Sequence, residues 1–411
     1  PALKNLRVAA EAVGDALETA VRRQTVSDVR IGAFLSGGID SGAVVSTLQR
    51  MSDKPVQTFT VRFNDDAYDE SAVARTVAEH LGTDHHEISI GDSEFTPMDL
   101  HRIVEHMGQP FMDSSAIPTY LISKAVRPYV KVCMTGDGGD EMFAGYPIFR
   151  WAATIDRIAR LPGPMRAGGR VAASVAARLP GLGGSGLVRR TRRALTVADS
   201  SPGERITAIG SIFLPEELKA LVVDPRVLSV ATGSLDLVND LPDDAEHWSP
   251  LQKRVFTLTR QQLPQEMLTK IDRMSMAASL ELRAPMLDPD LADLAMRLPE
   301  EVLISGDVQK LVLREAVRPH LPDIVFKKPK TGFSIPLHRF RNEAFREMAH
   351  DLLDVSDGPL ELLDKDAVAN VVHRGLTSSY DRADISIYRA THQLWGLMQL
   401  ASWSNRFDVT I

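Results

Sequence analysis

The sequence predicts an α/β protein, with a doubly wound parallel sheet followed by a largely helical C-terminal half. Three observations predict this fold class. Short apolar runs alternate with amphipathic helical patterns over residues 1–150, two of these runs end directly in glycine-rich turns, and long helical patterns dominate beyond residue 200. Such alternation is typical of right-handed βαβ units, whose ligands bind at the carboxyl ends of the strands.

The first half supplies the elements of the sheet in chain order. Residues 1–24 are predicted to form an amphipathic helix, because Leu6, Val13 and Leu17 recur near helical spacing. Gly82 is predicted to end the third helix as its C-cap. The predicted strands are 28–35, 56–63, 85–90 and 129–136, and the helices between them are 42–51, 69–82 and 115–126.

The character of the chain changes near residue 150, so the predicted units are 1–150, the α/β core, and 151–411, a mainly helical part. The segment 157–195 is rich in arginine and almost free of acids. It is interpreted either as a basic contact surface or, preferentially, as short helices with a solvated basic face. Further helical patterns cover 204–221, 251–282, 308–319 and 383–403.

Composition narrows the class of protein. The 411 residues are 44% hydrophobic and 25% charged, which is ordinary for a globular protein. Cys133 is the single cysteine, so no internal disulfide can form, and a reducing cytoplasm is the expected location. Neither a signal peptide nor a membrane span is recognised. The formal net charge of −7 argues against nucleic acid as the main partner.

The stretch "FLSGGIDSG" places a glycine turn between a buried strand and a helix. Glycines without Cβ atoms allow close approach of an anion, and the following helix directs its N-terminal dipole at the same place. Ser36, Gly37, Gly38 and Ser41 therefore indicate a cradle for phosphate oxygens. Asp40 fits such a cradle if Mg²⁺ joins the carboxylate to a polyphosphate. The spacing excludes a Walker A loop.

A second turn, "TGDGGDE", gathers acidic residues at the end of the fourth predicted strand. Asp137, Asp140 and Glu141 lie among three glycines. Acids crowded on a strand end are costly without counter-charge, which a metal ion or a cationic group would supply. In a parallel sheet this turn is expected to face the first one.

Six motifs in order resemble the synthetase domain of glutamine-dependent (class B) asparagine synthetases. They are "FLSGGIDSG", "YDESAVARTVAEHLGTDHHE", "QPFMDSSAIPTYLISK", "TGDGGDEMFAGY", "LPQEMLTKIDRMSMAASLELRAPMLDPDL" and "KKPKTGFSIPL". The first also looks like the pyrophosphate loop (PP-loop) of ATP pyrophosphatases. The resemblance covers nearly the whole chain and implies a PP-loop fold of the adenine nucleotide alpha hydrolase type, with 1–150 as the nucleotide-binding core.

The family's reaction is implied with it: ATP and aspartate give aspartyl-AMP and pyrophosphate, and ammonia then attacks the activated carbonyl. The resemblance implies ATP and Mg²⁺ as cofactors and a role for each matching position. The ATP-binding residues would be Leu35, Ser36, Gly37, Gly38, Asp40, Ser41, Val61, Thr135 and Gly136; the Mg²⁺ ligands would be Asp40 and Asp140; the catalytic residues would be Lys330 and Asp137.

Two departures from the family pattern bear on the product. Asp137 stands where many relatives carry glutamate, so the acceptor would sit deeper or be a different amine. No cysteine nucleophile for glutamine hydrolysis is present, so the chain is a fragment, works with a separate glutaminase domain or subunit, or uses ammonia or another amine directly. A natural-product amide or lactam synthetase, acting on another acid or amine, is the alternative, and a homodimer is an open alternative for the assembly.

Two other classes of protein agree less well with the sequence than an amide ligase. A different PP-loop enzyme, such as an NAD synthetase or a tRNA thiolation enzyme, is disfavoured, the latter by the lack of reactive cysteines. A non-catalytic nucleotide-binding scaffold would not need Asp40, Asp140 and Lys330 together.

Several remaining side chains are given structural interpretations. No zinc site is predicted at His85 and His86. Asp272, Arg273, Glu281 and Arg283 are expected on one helical stretch, mainly as ion pairs behind the acceptor pocket, and Met274, Met276 and Met286 as core.

Overall fold

The structure, a computed structural model, describes residues 2–63, 69–90, 96–176, 186–200, 205, 211–233, 241–327, 337–339, 341–354, 358–378 and 385–409. Its internal contacts divide the chain into two compact units. The first comprises Pro1–Glu94, Ser115–Tyr146 and Asp244–Ile335, and the second comprises Phe95–Ser114, Pro147–Asp243 and Pro336–Ile411. Residues 244–335 thus join the first unit although they follow the division predicted at residue 150.

A five-stranded parallel sheet organises the first unit. Its strands are β1 (Ile31–Phe34), β2 (Gln57–Phe63), β3 (Asp84–Ile90), β4 (Val132–Met134) and β5 (Glu281–Arg283). They are arranged in the order β3-β2-β1-β4-β5, and every pair is parallel. The strand order therefore reverses between β1 and β4, and the predicted doubly wound parallel sheet is confirmed. A short antiparallel pair, β6 (Ile304–Ser305) and β7 (Val308–Gln309), follows.

The helices have the following bounds. In chain order the α-helices are α1 (Leu6–Gln24), α2 (Ile39–Arg50), α3 (Ser71–Leu81), α4 (Pro97–Met107), α5 (Ala116–Val126), α6 (Gly139–Met142), α7 (Pro147–Ala159), α8 (Gly163–Ala176), α9 (Gly186–Ala198), α10 (Pro215–Leu221), α11 (Pro225–Gly233), α12 (Pro250–Arg260), α13 (Thr269–Ala277), α14 (Pro289–Met296), α15 (Glu300–Leu303), α16 (Leu311–Val317), α17 (Ile324–Lys327), α18 (Glu343–Leu353), α19 (Lys365–Thr377) and α20 (Ile387–Phe407). A π-helix covers Leu263–Leu268, and 3₁₀ turns cover Ala2–Lys4, Asp243–His247, Pro285–Leu287, Arg318–His320, Leu337–Arg339 and Gly358–Leu362.

The prediction of one helix over 251–282 is wrong at its C-terminal end. The chain forms α12, the π-helix and α13, and then turns at Ser279, whose φ is +57°. Residues 281–283 pair with β4 as the fifth strand, because the extended chain there can complete backbone hydrogen bonds at the sheet edge. The pattern 308–319 likewise begins as β7 before α16 starts, and α4 was not predicted at all.

The core of the first unit confirms several predictions from apolar patterning. Leu35, Phe59, Cys133 and Met134 are completely buried. Burial raises the pKa of the Cys133 thiol well above its usual value, so this cysteine is inert core. Gly82 caps α3 with a φ of +70°, as the sequence predicted.

Two of the three methionines predicted as core are buried, and His85 takes part in a hydrogen bond within the sheet. Met274 and Met286 are fully buried, but Met276 is 53% exposed on α13, so its assignment to the core was wrong. His85 Nδ1 is hydrogen-bonded to Thr58 Oγ1 at 2.9 Å within the sheet.

In the second unit, the described part of the arginine-rich segment contains α8 and most of α9. Arg166 and Arg170 both pair with Asp199, the former at 2.6 Å, and the Arg170 side chain stays 40% exposed. The solvent side of α8 also carries apolar side chains, with Met165 and Val171 more than half exposed. The predicted solvated basic face is therefore only partly present. In the described residues, no helix is at once long and apolar enough to cross a lipid bilayer.

Candidate active site

The first glycine turn connects β1 to α2. Leu35 N donates to Phe59 O at 2.8 Å, which extends the sheet pairing by one residue. Gly37 then adopts a φ of +73°, and a Cβ there would meet the backbone N of Ala74 at 3.0 Å. The position therefore requires glycine both for its backbone conformation and for its close packing.

Serine side chains hold this turn in shape. Ser36 N donates to Ser41 Oγ at 3.1 Å, and the two serine hydroxyls lie 3.0 Å apart. The N-cap of α2 is Gly38, which offers no side-chain hydrogen bond to the first turn of the helix. The backbone N–H groups at the start of α2 thus keep their capacity to bind an anion.

The second glycine turn connects β4 to α6. Thr135 N donates to Arg283 O on β5 at 2.8 Å, and Asp137 N donates to Thr135 Oγ1 at 3.4 Å. Gly138 has a φ of +92°, and a Cβ there would overlap the side chain of Leu287. The fifth strand and the 3₁₀ turn that follows it therefore pack against this turn.

The two turns touch, as the parallel pairing of β1 with β4 requires. Ile31 is paired with Val132 and Ala33 with Met134, so both strands end at the same edge. A Cβ on Gly136 would lie 2.6 Å from Ser41 N and 2.7 Å from the Asp40 carbonyl carbon. The loops meet at the point where the strand order reverses, which is where open α/β sheets bind their ligands.

Lys310 occupies the centre of this junction. Its buried Nζ forms ion pairs with Asp40 Oδ2 and, at 2.5 Å, with Asp140 Oδ1. It lies between β7 and α16 with a φ of +55°. Burial lowers the pKa of Lys310, and the neighbouring Asp40 carboxylate partly opposes that shift. The sequence analysis did not identify Lys310 as a site residue. Its only local signal was a lysine directly before the apolar stretch "LVL".

The carboxylates of Asp40 and Asp140 fit a magnesium ion. Asp40 Oδ1 is buried and has no hydrogen-bond partner in the part of the chain that is described. Mg²⁺ is commonly held by one or two carboxylates, with phosphate and water oxygens completing its shell. No group of three or more histidine, cysteine or acidic side chains suited to a metal occurs among the described residues. The donor set thus suits a cation shared with a polyphosphate.

Asp137 and Glu141, the other acids of the second turn, interact with largely different groups from Asp140. Burial raises the pKa of Asp137, and the Lys270 ammonium is the strongest opposing influence. Glu141 is 3% exposed, accepts a hydrogen bond from Tyr146 Oη at 2.6 Å, and has its pKa raised by burial. Lys270 is itself buried and donates to Ser115 Oγ at 2.7 Å.

The predicted site residues have the following placements. The structure brings together the two loops, Ser36–Ser41 and Thr135–Asp140, and buries Val61 on the neighbouring strand β2, two residues beyond the Phe59 that Leu35 contacts. Lys330 and its motif "KPKTGF" lie outside the described residues.

The polar residues assigned to a helix behind the pocket are divided between two elements. Arg283, on β5, pairs with Glu281 at 2.6 Å and donates to the backbone oxygens of Gln24 and Val26. Asp272 and Arg273 are exposed on α13. The ion pair of Arg283 supports the structural interpretation of that residue.

Comparison with known proteins gives one family. The family described as "Asparagine synthase" matches residues 12–405 of this chain. A Mycobacterium tuberculosis protein, provisionally named a glutamine-hydrolyzing asparagine synthetase, is 30% identical over 391 residues, which cover 94% of this chain and 56% of that protein. Glutamine-hydrolyzing asparagine synthetase 1 of Bacillus subtilis is 29% identical, over 84% of this chain and 52% of its own length.

A second kind of relative carries a different name. A Penicillium rubens protein named amidase chyE is 28% identical over 77% of this chain and 51% of its own length. The chain thus spans about half the length of the curated relatives it matches.

Proposed function

This chain belongs to the asparagine synthase family, and we propose on that premise that it is an ATP-dependent, AMP-forming carbon–nitrogen ligase. It adenylates a carboxylate, releases pyrophosphate, and passes the acyl group to ammonia or another amine. The observation that carries the proposal is the convergence of Asp40, Asp140 and Lys310 where two glycine turns meet.

The first step is a displacement at the α-phosphorus of ATP. A carboxylate oxygen of the acid forms a bond to that phosphorus, the bond to the bridging oxygen breaks, and pyrophosphate leaves with the electron pair. Backbone N–H groups of the Ser36–Ser41 loop and the start of α2 would bind the leaving phosphates. Asp40 and Asp140 would hold Mg²⁺, which neutralises phosphate charge when bound.

Lys310 adds a buried ammonium beside those two carboxylates. An ammonium in a site shielded from water stabilises developing negative charge more strongly than one in solvent. We propose that Lys310 donates to the phosphate oxygens on the pyrophosphate side.

The second step is proposed to involve Lys330 and Asp137. Lys330 would neutralise charge on the α-phosphate and then on the tetrahedral oxyanion, a role that rests on the family resemblance alone. Asp137 would contact the incoming amine. Leu35, Val61 and Gly136 would contact the adenosine part through their backbones.

Aspartate and ammonia are the first substrates to test. The alternative is an amide or lactam synthetase acting on another acid or amine, favoured by the shorter Asp137 and by relatives named amidase. A glutaminase domain or subunit as amine source, a homodimer and a cytoplasmic location remain predictions.

A pyrophosphate-release assay over a panel of amino acids and other carboxylates, with ATP, Mg²⁺ and ammonium chloride, tests the proposal. We expect acid-dependent release and AMP formation, both abolished in Asp40→Asn and Lys330→Ala. Replacement of Lys327, which is exposed, is the matched lysine control and should leave release unchanged. Absence of pyrophosphate release with every acid would contradict a ligase, and release that depends on tRNA would favour a thiolation enzyme.

A further inference from the structure

The Lys310 side chain lies against a short backbone segment, residues 144–146, that has no role in the reaction described so far. A Cβ on Gly145 would overlap Lys310 Cε and Asp140 Oδ1, and it would lie 2.8 Å from Lys310 Nζ. The absent side chain therefore leaves the space in which the ammonium and this carboxylate meet. Because the φ of Gly145 is not positive, close packing rather than backbone conformation favours glycine at this position.

Gln309, the residue directly before Lys310, is bonded to the same segment. Its Nε2 donates to Ala144 O at 3.1 Å and to Tyr146 O at 2.7 Å. One side-chain amide thus holds the backbone on both sides of Gly145. Gln309 thereby joins the start of Lys310 to the segment against which the lysine side chain packs.

The backbone on both sides of this contact has an uncommon conformation. Four of the described non-glycine residues have a positive φ, and two of them are Ala144 at +54° and Lys310 at +55°. Such conformations persist only where surrounding contacts enforce them, and they are concentrated at functional sites. Arg314 provides two such contacts, since its N donates to Lys310 O at 2.8 Å and its Nε donates to Gln309 O at 3.0 Å. Backbone hydrogen bonds as well as ion pairs therefore position this lysine.

We propose that Gln309 and Gly145 are positioning residues that hold the Lys310 ammonium beside Asp40 and Asp140, where it donates to pyrophosphate oxygens. Their role rests on the proposed ligase function and on the proposed contact of Lys310 with the pyrophosphate side. Gln309 fixes the segment through its two hydrogen bonds, and Gly145 provides the space for the lysine side chain. Both residues act through Lys310 and not by touching ATP.

Acid-dependent ATP–pyrophosphate exchange, measured with the purified full-length chain, tests this role with aspartate first or whichever acid supports exchange. Gln309→Met cannot donate to Ala144 O and Tyr146 O, so the Lys310 ammonium should lose its fixed position. We expect KM for pyrophosphate to rise about tenfold or more, as for loss of a hydrogen bond to a charged group, and KM for the acid to stay within about threefold. Titration calorimetry with inorganic pyrophosphate and Mg²⁺ should show a loss of affinity of similar size without any turnover.

Gln49→Met is the matched control. Gln49 also bonds a backbone segment, since its Nε2 donates to Lys54 O at 3.3 Å and its Oε1 accepts from Val56 N at 2.8 Å. It lies near the C-terminal end of α2, whereas Asp40 lies near the start of that helix. Loss of these bonds should lower the melting temperature but leave KM for pyrophosphate unchanged.

Gly145→Ala tests the same role without removing a hydrogen-bonding side chain, and it decides the question if Gln309→Met fails to fold. The added Cβ would displace the end of the flexible Lys310 side chain, so KM for pyrophosphate should again rise about tenfold or more. Gly168→Ala on α8 is the control, because a Cβ there has nothing within 4 Å. Thermal melts report whether each variant is folded.

The outcomes are distinct. If the folded variants kept KM for pyrophosphate within about threefold, or if KM for the acid rose equally, the positioning role would be overturned while the ligase stayed intact. Absence of exchange with every acid in the wild-type chain would overturn the ligase assignment, and the positioning role with it.

Discussion

The close approach of the two glycine turns at Gly136 yields a quantitative prediction for Gly136→Ala. The backbone of Gly136 lies outside the left-handed region, so alanine has no conformational penalty there. Its Cβ, however, would lie 2.6 Å from Ser41 N, where ordinary contact begins at 3.4 Å. The turns must therefore separate by about 0.8 Å, since neither neighbour is the flexible end of a side chain.

This separation should affect both folding and catalysis. Overpacking of this kind costs about 1–3 kcal/mol of stability. A misplacement of about 1 Å in a reacting geometry lowers rates by roughly 10²-fold, equivalent to about 2.7 kcal/mol of transition-state stabilisation. We expect acid-dependent pyrophosphate exchange in Gly136→Ala to fall by about 30- to 100-fold.

The exchange assay and a thermal melt, run side by side, check this prediction. Gly14→Ala is the control: Gly14 lies inside α1, and the Cβ that this substitution adds would have nothing within 4 Å, so exchange should stay unchanged and stability should rise by about 0.5–1 kcal/mol. If Gly136→Ala retained exchange within about threefold, the close contact of the two turns would not position the reacting groups, and the reasoning would fail.

Three more predictions concern stability. Lys310→Met leaves the partly buried carboxylates of Asp40 and Asp140 without their buried cation and should lower the free energy of unfolding in urea by about 3–5 kcal/mol. The exposed control Lys327→Met should cost at most about 1 kcal/mol, and equal losses would contradict the pairing. Because burial raises the pKa of Glu141 in the folded state, the folded protein binds more protons, and stability should fall as pH rises from 4.5 through the raised value. Glu141→Gln should flatten that part of the pH profile, and an unchanged slope would refute it. Ser249→Ala removes the hydroxyl that caps α12 at Gln252 N and should cost about 1 kcal/mol, whereas Ser249→Asn should cost little; urea titrations that show equal losses would argue against the cap.

Local patterns were sufficient to predict the elements around the first turn. The strand, the Ser-Gly-Gly turn and the helix are contiguous in sequence, so residues 31–50 carry the signals for all three. The second turn was predicted on the same basis. The shared edge of a parallel sheet predicted that this turn faces the first one, whereas the assignment of Asp140 to the metal came from the family resemblance.

The fifth strand shows where local patterning failed. Residues 281–283 continue a helical pattern, yet they pair with β4 and supply the carbonyl that Thr135 N contacts. A three-residue strand at a sheet edge forms because its backbone pairs with the neighbouring strand, and its own side chains contribute little. Its sequence therefore contains little signal for a strand.

The sequence by itself determined the first four strands, the two glycine turns and the acids within them, because each of these depends on residues close together in the chain. Only the tertiary structure decided which cations meet those acids. Lys310 reaches Asp40 across 270 positions and Lys270 reaches Ser115 across 155. The physical reason is that a buried charge is stabilised by its neighbours in space, and the sequence does not specify those neighbours until the chain has folded.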